Sequence, residues 1–398
     1  MPADSSFSRR GFVGGLASAL GHLTLKPDGE LLAHGASDAL RIPLPPPGPV
    51  EDYDLAAKLG NNENPYGPPD SVMKAMTQAF KYSNRYGYPD GDIVEEIAKH
   101  HGVKAENVLL GAGSGEILTV VGRTYLGVGK KVVGVEPTYG SVYQHVTGIK
   151  ADAIKLPLLA DFRQDIPAMV RATRMHYREI GFVYLCNPNN PTGRIVTKGE
   201  VRQLLDGIPE DMPVLVDEAY HHYVTDPEYA TSLPYVVEGR QVIVARTFSK
   251  ISGLAGMRLG YAVAPKEMIQ QMRPHSGGSI NAIVKWGGVA ALRDTASQET
   301  VKKVAIEQRT KAAAELTSLG YAVVPSEGNF FMVHIRRPVV PVIEEFRKKG
   351  VIVGRPFPPM TEHLRVSIGT PDEMKRFSVA FREIFAGSPK SAGGAGSR

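Results

Sequence analysis

The chain has 398 residues, 42% of them hydrophobic and 22% charged, which suits two globular domains or one large domain with a companion. Its formal charge of +5 is small for that length and the basic residues form no run, which argues against a nucleic-acid partner. The single cysteine, Cys186, excludes an internal disulfide and a cysteine-based metal cluster, and no apolar stretch is long enough for a membrane-spanning helix.

At the start, Ser8-Arg9-Arg10-Gly11-Phe12-Val13 precedes a small and apolar run to Leu25. A twin arginine in that setting resembles a bacterial Tat export signal, so residues 1–40 are read as a leader and the expected location is periplasmic, or cytoplasmic if the leader is not used. RIPLPPPGPV (41–50) then reads as an extended linker running into a polar arm that ends near residue 70. Asp70 can cap a helix with Val72, Met73, Met76 and Phe80 on one face. A loop, NRYGYPDGD (84–92), leads to a helix through Ile93, Val94 and Ile97.

From VLLGAGSGE (108–116) onward, short apolar strands alternate with helical segments: KVVGVEPTY (130–139), FVYLCNPNNPTG (182–193), VLVDEAYHHY (214–223) and VIVARTFSKISGLAGMRLGYAVAP (242–265). That alternation predicts an α/β fold with a mostly parallel sheet covered on both faces, a large domain over 71–285. A long helical passage to about residue 318 and a small α/β unit predict a second domain over 286–386, followed by a low-complexity tail at 387–398.

The polar residues of note fall at strand ends, where open α/β sheets bind ligands. Gly113-Ser114-Gly115, Tyr139, Asn190, Asp217 with Tyr220, and Lys250 follow five successive strands. Singly each has a structural explanation as a turn or a helix cap; their shared edge does not. A lysine that condenses with a carbonyl must shed its proton near neutral pH, which burial and a nearby cation favour. A phosphate calls for helix N-terminal N–H groups, hydroxyls and an arginine. Ser114, Gly115, Thr247, Ser249 and Arg258 provide them, and Asp217 can pair with a pyridine nitrogen.

The motifs NENPYG (62–67), GAGSGE (111–116), EPTYG (136–140), NPNNPTG (187–193), VDEAY (216–220), RTFSKxxGLAGxRxGY (246–261), EGNFF (327–331) and LRVSIGTPDE (364–373) resemble those of fold-type-I pyridoxal-phosphate aminotransferases of class I/II, and among these the histidinol-phosphate aminotransferases. The resemblance implies pyridoxal 5'-phosphate as cofactor, held by Lys250 through a Schiff base, and ping-pong exchange between an amino donor and a 2-oxo acid. It also implies Asp217 on the pyridine nitrogen, Asn190 and Tyr220 on the phenolic oxygen, and Tyr139 stacked on the ring. Ser114, Gly115, Thr247, Ser249 and Arg258 would hold the phosphate, joined by Tyr88 (or Tyr86) of a neighbouring subunit in a homodimer. On the substrate side it implies Arg365 on the α-carboxylate with Asn329 beside it, Tyr66 of NENPYG, and Arg355 on a substrate phosphate. Around Arg355 the sequence VGRPFPPM carries an extra glycine and prolines, and GSGE replaces the family's more usual GADE turn. The same site could serve a β-lyase, oxidase or cyclase, whereas a non-catalytic cofactor-binding regulator would need a DNA-binding domain that residues 1–50 are too short to form.

Overall fold

A computed structural model describes residues 23–25, 31–33, 50–143 and 151–386. The twin-arginine motif, the proline-rich stretch up to residue 49 and the tail at 387–398 lie outside the described residues. The chain separates into Met1–Leu55 and Ala56–Arg398. In the first unit β1 (Leu23–Leu25) pairs antiparallel with β2 (Leu31–Ala33), and Val50–Leu55 forms a short helix, α1. That helix starts at Val50, the last residue of the expected linker, directly after Pro49.

In the second unit seven strands make the central sheet: β4 (Val108–Gly111), β5 (Lys131–Glu136), β6 (Asp152–Pro157), β7 (Ile180–Cys186), β8 (Val214–Asp217), β9 (Val242–Thr247) and β10 (Gly260–Val263), in the order 4-10-9-8-7-5-6. All neighbours are parallel except β10, which is antiparallel to both β4 and β9. β4 therefore runs with the others, and the carboxyl ends of β4, β5, β7, β8 and β9 share one edge. Strands β7, β8 and β9 are buried at every residue, as unbroken apolar runs in a doubly covered sheet require. β6, DAIKLP, escapes the sequence reading because its charged, half-exposed pattern is that of an edge strand.

On one face, α2 (Asp70–Ala79), α3 (Ile93–His101) and α9 (Ala282–Arg293) bury Val72, Met76, Ile93, Ile97, Val284 and Val289 against Val133, Val183, Val216 and Val244. On the other, Ile117, Leu118 and Val121 of α4 (Ser114–Tyr125) pack with Phe182, Leu215 and Ile243. A third core joins Phe331, Phe346, Leu364, Phe377 and Phe381 around an antiparallel sheet of β11 (Ala322–Val324), β12 (Phe330–His334) and β14 (His363–Ser367).

Four expectations need correction. Residues 57–59, expected to be part of the arm, form β3 (Ala57–Leu59), which pairs in parallel with β13 (Val351–Val353) and turns Ala57 and Leu59 into the third core. The boundary expected at 285/286 cuts through α9, whose Val284, Val289 and Leu292 belong to the first core. Asp70 is the first residue of α2, not its cap; Pro69 takes the cap position. Finally, Met73 and Phe80 of the expected apolar face are 47% and 59% exposed, while Val72, Met76 and Ala79 are buried.

Candidate active site

A cavity of about 220 Å³ opens at the shared strand edge. Ser114, Gly115, Tyr139, Asp217, Tyr220, Thr247, Ser249, Lys250 and Arg258 line it together with Asn61 and Glu63. Eight residues singled out at four strand ends thus meet around one space, with Arg258 from the loop before β10 as the ninth.

At one end the first turn of α4 presents the N–H groups of Ser114 and Gly115, with Gly113 before it at φ +78°. The Arg258 guanidinium fits against this turn so closely that a Cβ on Gly113 would collide with it. Its Nη1 donates to Ser249 Oγ (3.3 Å) and Ala255 O (2.9 Å), and its Nη2 to Ala112 O (3.3 Å). Thr247 Oγ1 donates to Ser249 Oγ at 2.8 Å. Glu116, in the GSGE turn, accepts from Ala112 N (2.5 Å) and from Gly277 N (2.8 Å), tying the turn to the 276–278 loop.

At the centre Lys250 Nζ donates to Asn61 O at 3.0 Å. Burial and then the Arg365 cation lower its pKa to about 8. Asp217 is 2% exposed, and burial raises its pKa to about 6 against the pull of the Ala219 N–H (3.1 Å to Oδ1) and Lys250. At the far side Tyr220 Oη accepts from Asn190 Nδ2 and from Asn62 Nδ2, both at 3.1 Å. Asn190 Oδ1 in turn accepts from Arg365 Nη1 (2.7 Å), while Arg365 Nη2 donates to Gly60 O (2.5 Å). Asn329 Nδ2 donates to Asn62 O (3.1 Å) and Glu63 O (3.2 Å). Two buried atoms here, Arg365 Nε and Asn329 Oδ1, have no partner among the described residues.

The remaining expected residues stand elsewhere. Asn190 lies behind Tyr220, not on the cavity wall. Tyr88 Oη donates to Ile280 O at 2.8 Å with Lys285 Nζ over its ring, and Tyr86 is fully exposed. Tyr66 is half exposed and borders a separate apolar cavity with Ile251, Val301 and Val304. Arg355 opens onto a cavity of about 500 Å³ beside Glu136, Asp152 and Lys155. The extra glycine next to it has a steric reason: Gly354 passes Arg365 so tightly that a Cβ would press on its Cβ and Nε. Arg355 and Arg365 both stack on Phe357, at 4.2 and 4.5 Å.

The sequence reading missed Asn61, Asn62 and Ser367. A signal existed for Asn62: it follows a strand within a run of asparagines and takes φ +55°, a conformation asparagine tolerates better than most non-glycine residues.

Pyridoxal phosphate fits these residues. The helix turn with Arg258 is an anion cradle, and Asp217 is a carboxylate, its pKa raised by burial, that a protonated pyridine nitrogen would pair with. Fold and site together define a fold-type-I, pyridoxal-phosphate-dependent transaminase. The pattern of the family described as aminotransferase class I and II matches residues 56–381, and the chain belongs to that family. It is 39% identical over 359 residues to the histidinol-phosphate aminotransferase of Moorella thermoacetica, covering 86% of this chain and 91% of that one. Among solved structures, the histidinol-phosphate aminotransferase of Sinorhizobium meliloti in complex with pyridoxal-5'-phosphate superposes with a TM-score of 0.78 at 26% identity, over 88% of this chain and 99% of the other. Aspartate aminotransferase of Thermus thermophilus, with maleate, shares the fold at a TM-score of 0.72 and 21% identity, over 83% of this chain and 94% of that one.

Proposed function

We propose that the enzyme transfers the amino group of an amino acid, or of a histidinol phosphate-like amine, to a 2-oxo acid, with Lys250, Asp217 and Arg365 as its working residues. The observation that carries this reading is their joint placement: Lys250, with a pKa of about 8, and the buried Asp217 carboxylate line one cavity, and the buried Arg365 guanidinium is linked through Asn190 to Tyr220 on its wall. Bound pyridoxal phosphate supplies the carbonyl and the electron sink. Asp217 keeps the pyridine nitrogen protonated. Lys250 Nζ holds the cofactor and carries the proton to and from the substrate α-carbon. Tyr139 covers the ring, and Ser114, Gly115, Thr247, Ser249 and Arg258 hold the phosphate. Arg365 takes the carboxylate with its planar fork, its bond to Gly60 O exchanging for one to substrate. Asn329, with its unpartnered Oδ1, supports it.

Substrate choice rests on Arg355 and its neighbours. Its cavity carries Lys155 paired with Glu136 (2.8 Å) and Asp152, so an anionic side chain would meet charges of both signs. The test is a half-reaction screen: the loaded enzyme is mixed with amino acids and histidinol phosphate while the cofactor's visible absorbance is followed. Loss of that absorbance with at least one amine, and its recovery with a 2-oxo acid, is expected. Ammonia release without an acceptor would instead favour a lyase or oxidase. An unchanged preference for phosphorylated over unphosphorylated amines in Arg355→Ala would remove Arg355 from substrate recognition.

Met73, Phe80 and Tyr86 are each exposed and lie close in sequence to Tyr88, which supports a homodimer in which Tyr88 reaches the neighbour's phosphate. Sedimentation of the loaded enzyme as a monomer would refute it. Among the described residues no helix is long and apolar enough to cross a membrane. The twin-arginine leader is the basis for proposing export, and full-length protein found only in the cytoplasmic fraction would overturn that.

A further inference from the structure

Asn62 contributes no atom to any role assigned above, yet it is 1% exposed and makes side-chain bonds in two directions. Their polarity follows from the partners on either side. A guanidinium only donates, so the atom of Asn190 that lies 2.7 Å from Arg365 Nη1 is its oxygen, and its NH₂ faces Tyr220 Oη. On the other side, Ser367 Oγ accepts the backbone N–H of Asn62 at 2.8 Å and donates its own proton to Asn62 Oδ1, also at 2.8 Å. The Asn62 NH₂ therefore faces Tyr220 Oη as well.

A phenol has one proton and two acceptor sites. With an N–H group donated from each side, neither amide can receive the Tyr220 proton, and the remaining direction is the cavity that Tyr220 shares with Lys250 and Asp217. The ring cannot swing away, because it is 4% exposed and packed edge-on against Phe330 at 4.9 Å. We propose that Asn62 is a positioning residue that, together with Asn190, fixes the Tyr220 hydroxyl as a one-way donor toward the cofactor's phenolic oxygen. This rests on the reading that Tyr220 faces that oxygen. Because Asn190 bridges Tyr220 and Arg365, the donor is also linked through a single amide to the guanidinium assigned to the substrate carboxylate. The left-handed backbone at Asn62 (φ +55°) aims the side chain at Tyr220 and limits replacements to residues that tolerate it.

The test titrates the loaded, substrate-free enzyme with pH and reads the midpoint of the cofactor's visible band, together with cofactor affinity. Donation to the phenolic oxygen stabilises its deprotonated form, so losing the donor moves the midpoint up. Tyr220→Phe should raise it by about one pH unit. Asn62→Gly, which keeps the backbone conformation and removes one of the two amides, should raise it by roughly half as much and add nothing in the Tyr220→Phe background. Asn62→Asp keeps the size of the side chain but presents an acceptor, reverses the bond at Tyr220, and should shift the midpoint at least as far as Tyr220→Phe. A midpoint unmoved by both Asn62 variants, while Tyr220→Phe moves it, overturns the proposal. So does an Asn62→Gly shift that persists undiminished in the Tyr220→Phe background. No shift in Tyr220→Phe itself would instead bring down the underlying assignment of Tyr220.

Discussion

Replacing Asp217 with asparagine should affect the cofactor-free and the loaded enzyme in opposite senses. The carboxylate is 2% exposed at the end of β8, and Lys250 and the Ala219 N–H do not fully compensate its burial: its pKa sits at about 6 instead of 3.8. For an acid whose folded pKa is raised, the ionised form is penalised on folding. That penalty is absent below the unfolded pKa, grows between 3.8 and about 6, and is complete above. A shift of two units corresponds to about 3 kcal/mol, and water entering the open cavity screens part of it, leaving about 1–2 kcal/mol. An asparagine keeps the acceptor for the Ala219 N–H and carries no charge. Urea denaturation of cofactor-free protein should therefore show Asp217→Asn more stable than the parent by about 1–2 kcal/mol at pH 8, with the difference gone below about pH 4. Cofactor affinity should fall in the same variant, since the protonated pyridine loses its counter-ion. Equal stability at pH 8, or a gain that persists at pH 3.5, would refute the reasoning.

Two further substitutions probe the frame of the site. Gly113→Ala drives a methyl into the Arg258 guanidinium at a left-handed backbone position, and cofactor affinity should fall about tenfold or more, measured by titrating the cofactor-free protein; an unchanged affinity would mean Arg258 does not need this turn. Glu218→Ala leaves Arg246, bonded to Glu218 Oε2 at 2.7 Å and 5% exposed, buried without its anion, and should cost about 3–5 kcal/mol in urea denaturation, a loss under 1 kcal/mol counting against the pair.

Much of this site could be read in the sequence because its residues sit where the chain's own periodicity marks them. Lys250, Asp217, Asn190 and Ser114 each follow an apolar run, and a parallel sheet brings such ends to one edge whatever the details of packing. What escaped depends on partners far along the chain. Ala57–Leu59 is only three residues of strand, and it looks like a loop until Val351–Val353 is beside it. Asn62 gains its meaning from Tyr220 and Ser367, 158 and 305 residues away. Met73 and Phe80 follow the helical period faithfully, yet period alone does not separate a side chain that meets the core from one that meets solvent or a partner.

Before cofactor and substrate bind, four consecutive carbonyls, from Gly60 to Glu63, are gripped in turn by Arg365, Lys250 and, for the last two, Asn329. Because the grip is on main chain, the side chain at Asn61 or Glu63 can drift without loosening it, but the count of residues cannot. β3 anchors the segment immediately before and the bond from Asn64 Nδ2 to Ile251 O immediately after. Inserting or deleting one residue between Leu59 and Asn64 would present the wrong oxygen to every donor at once, so this short run acts as a ruler whose length is under tighter constraint than its spelling.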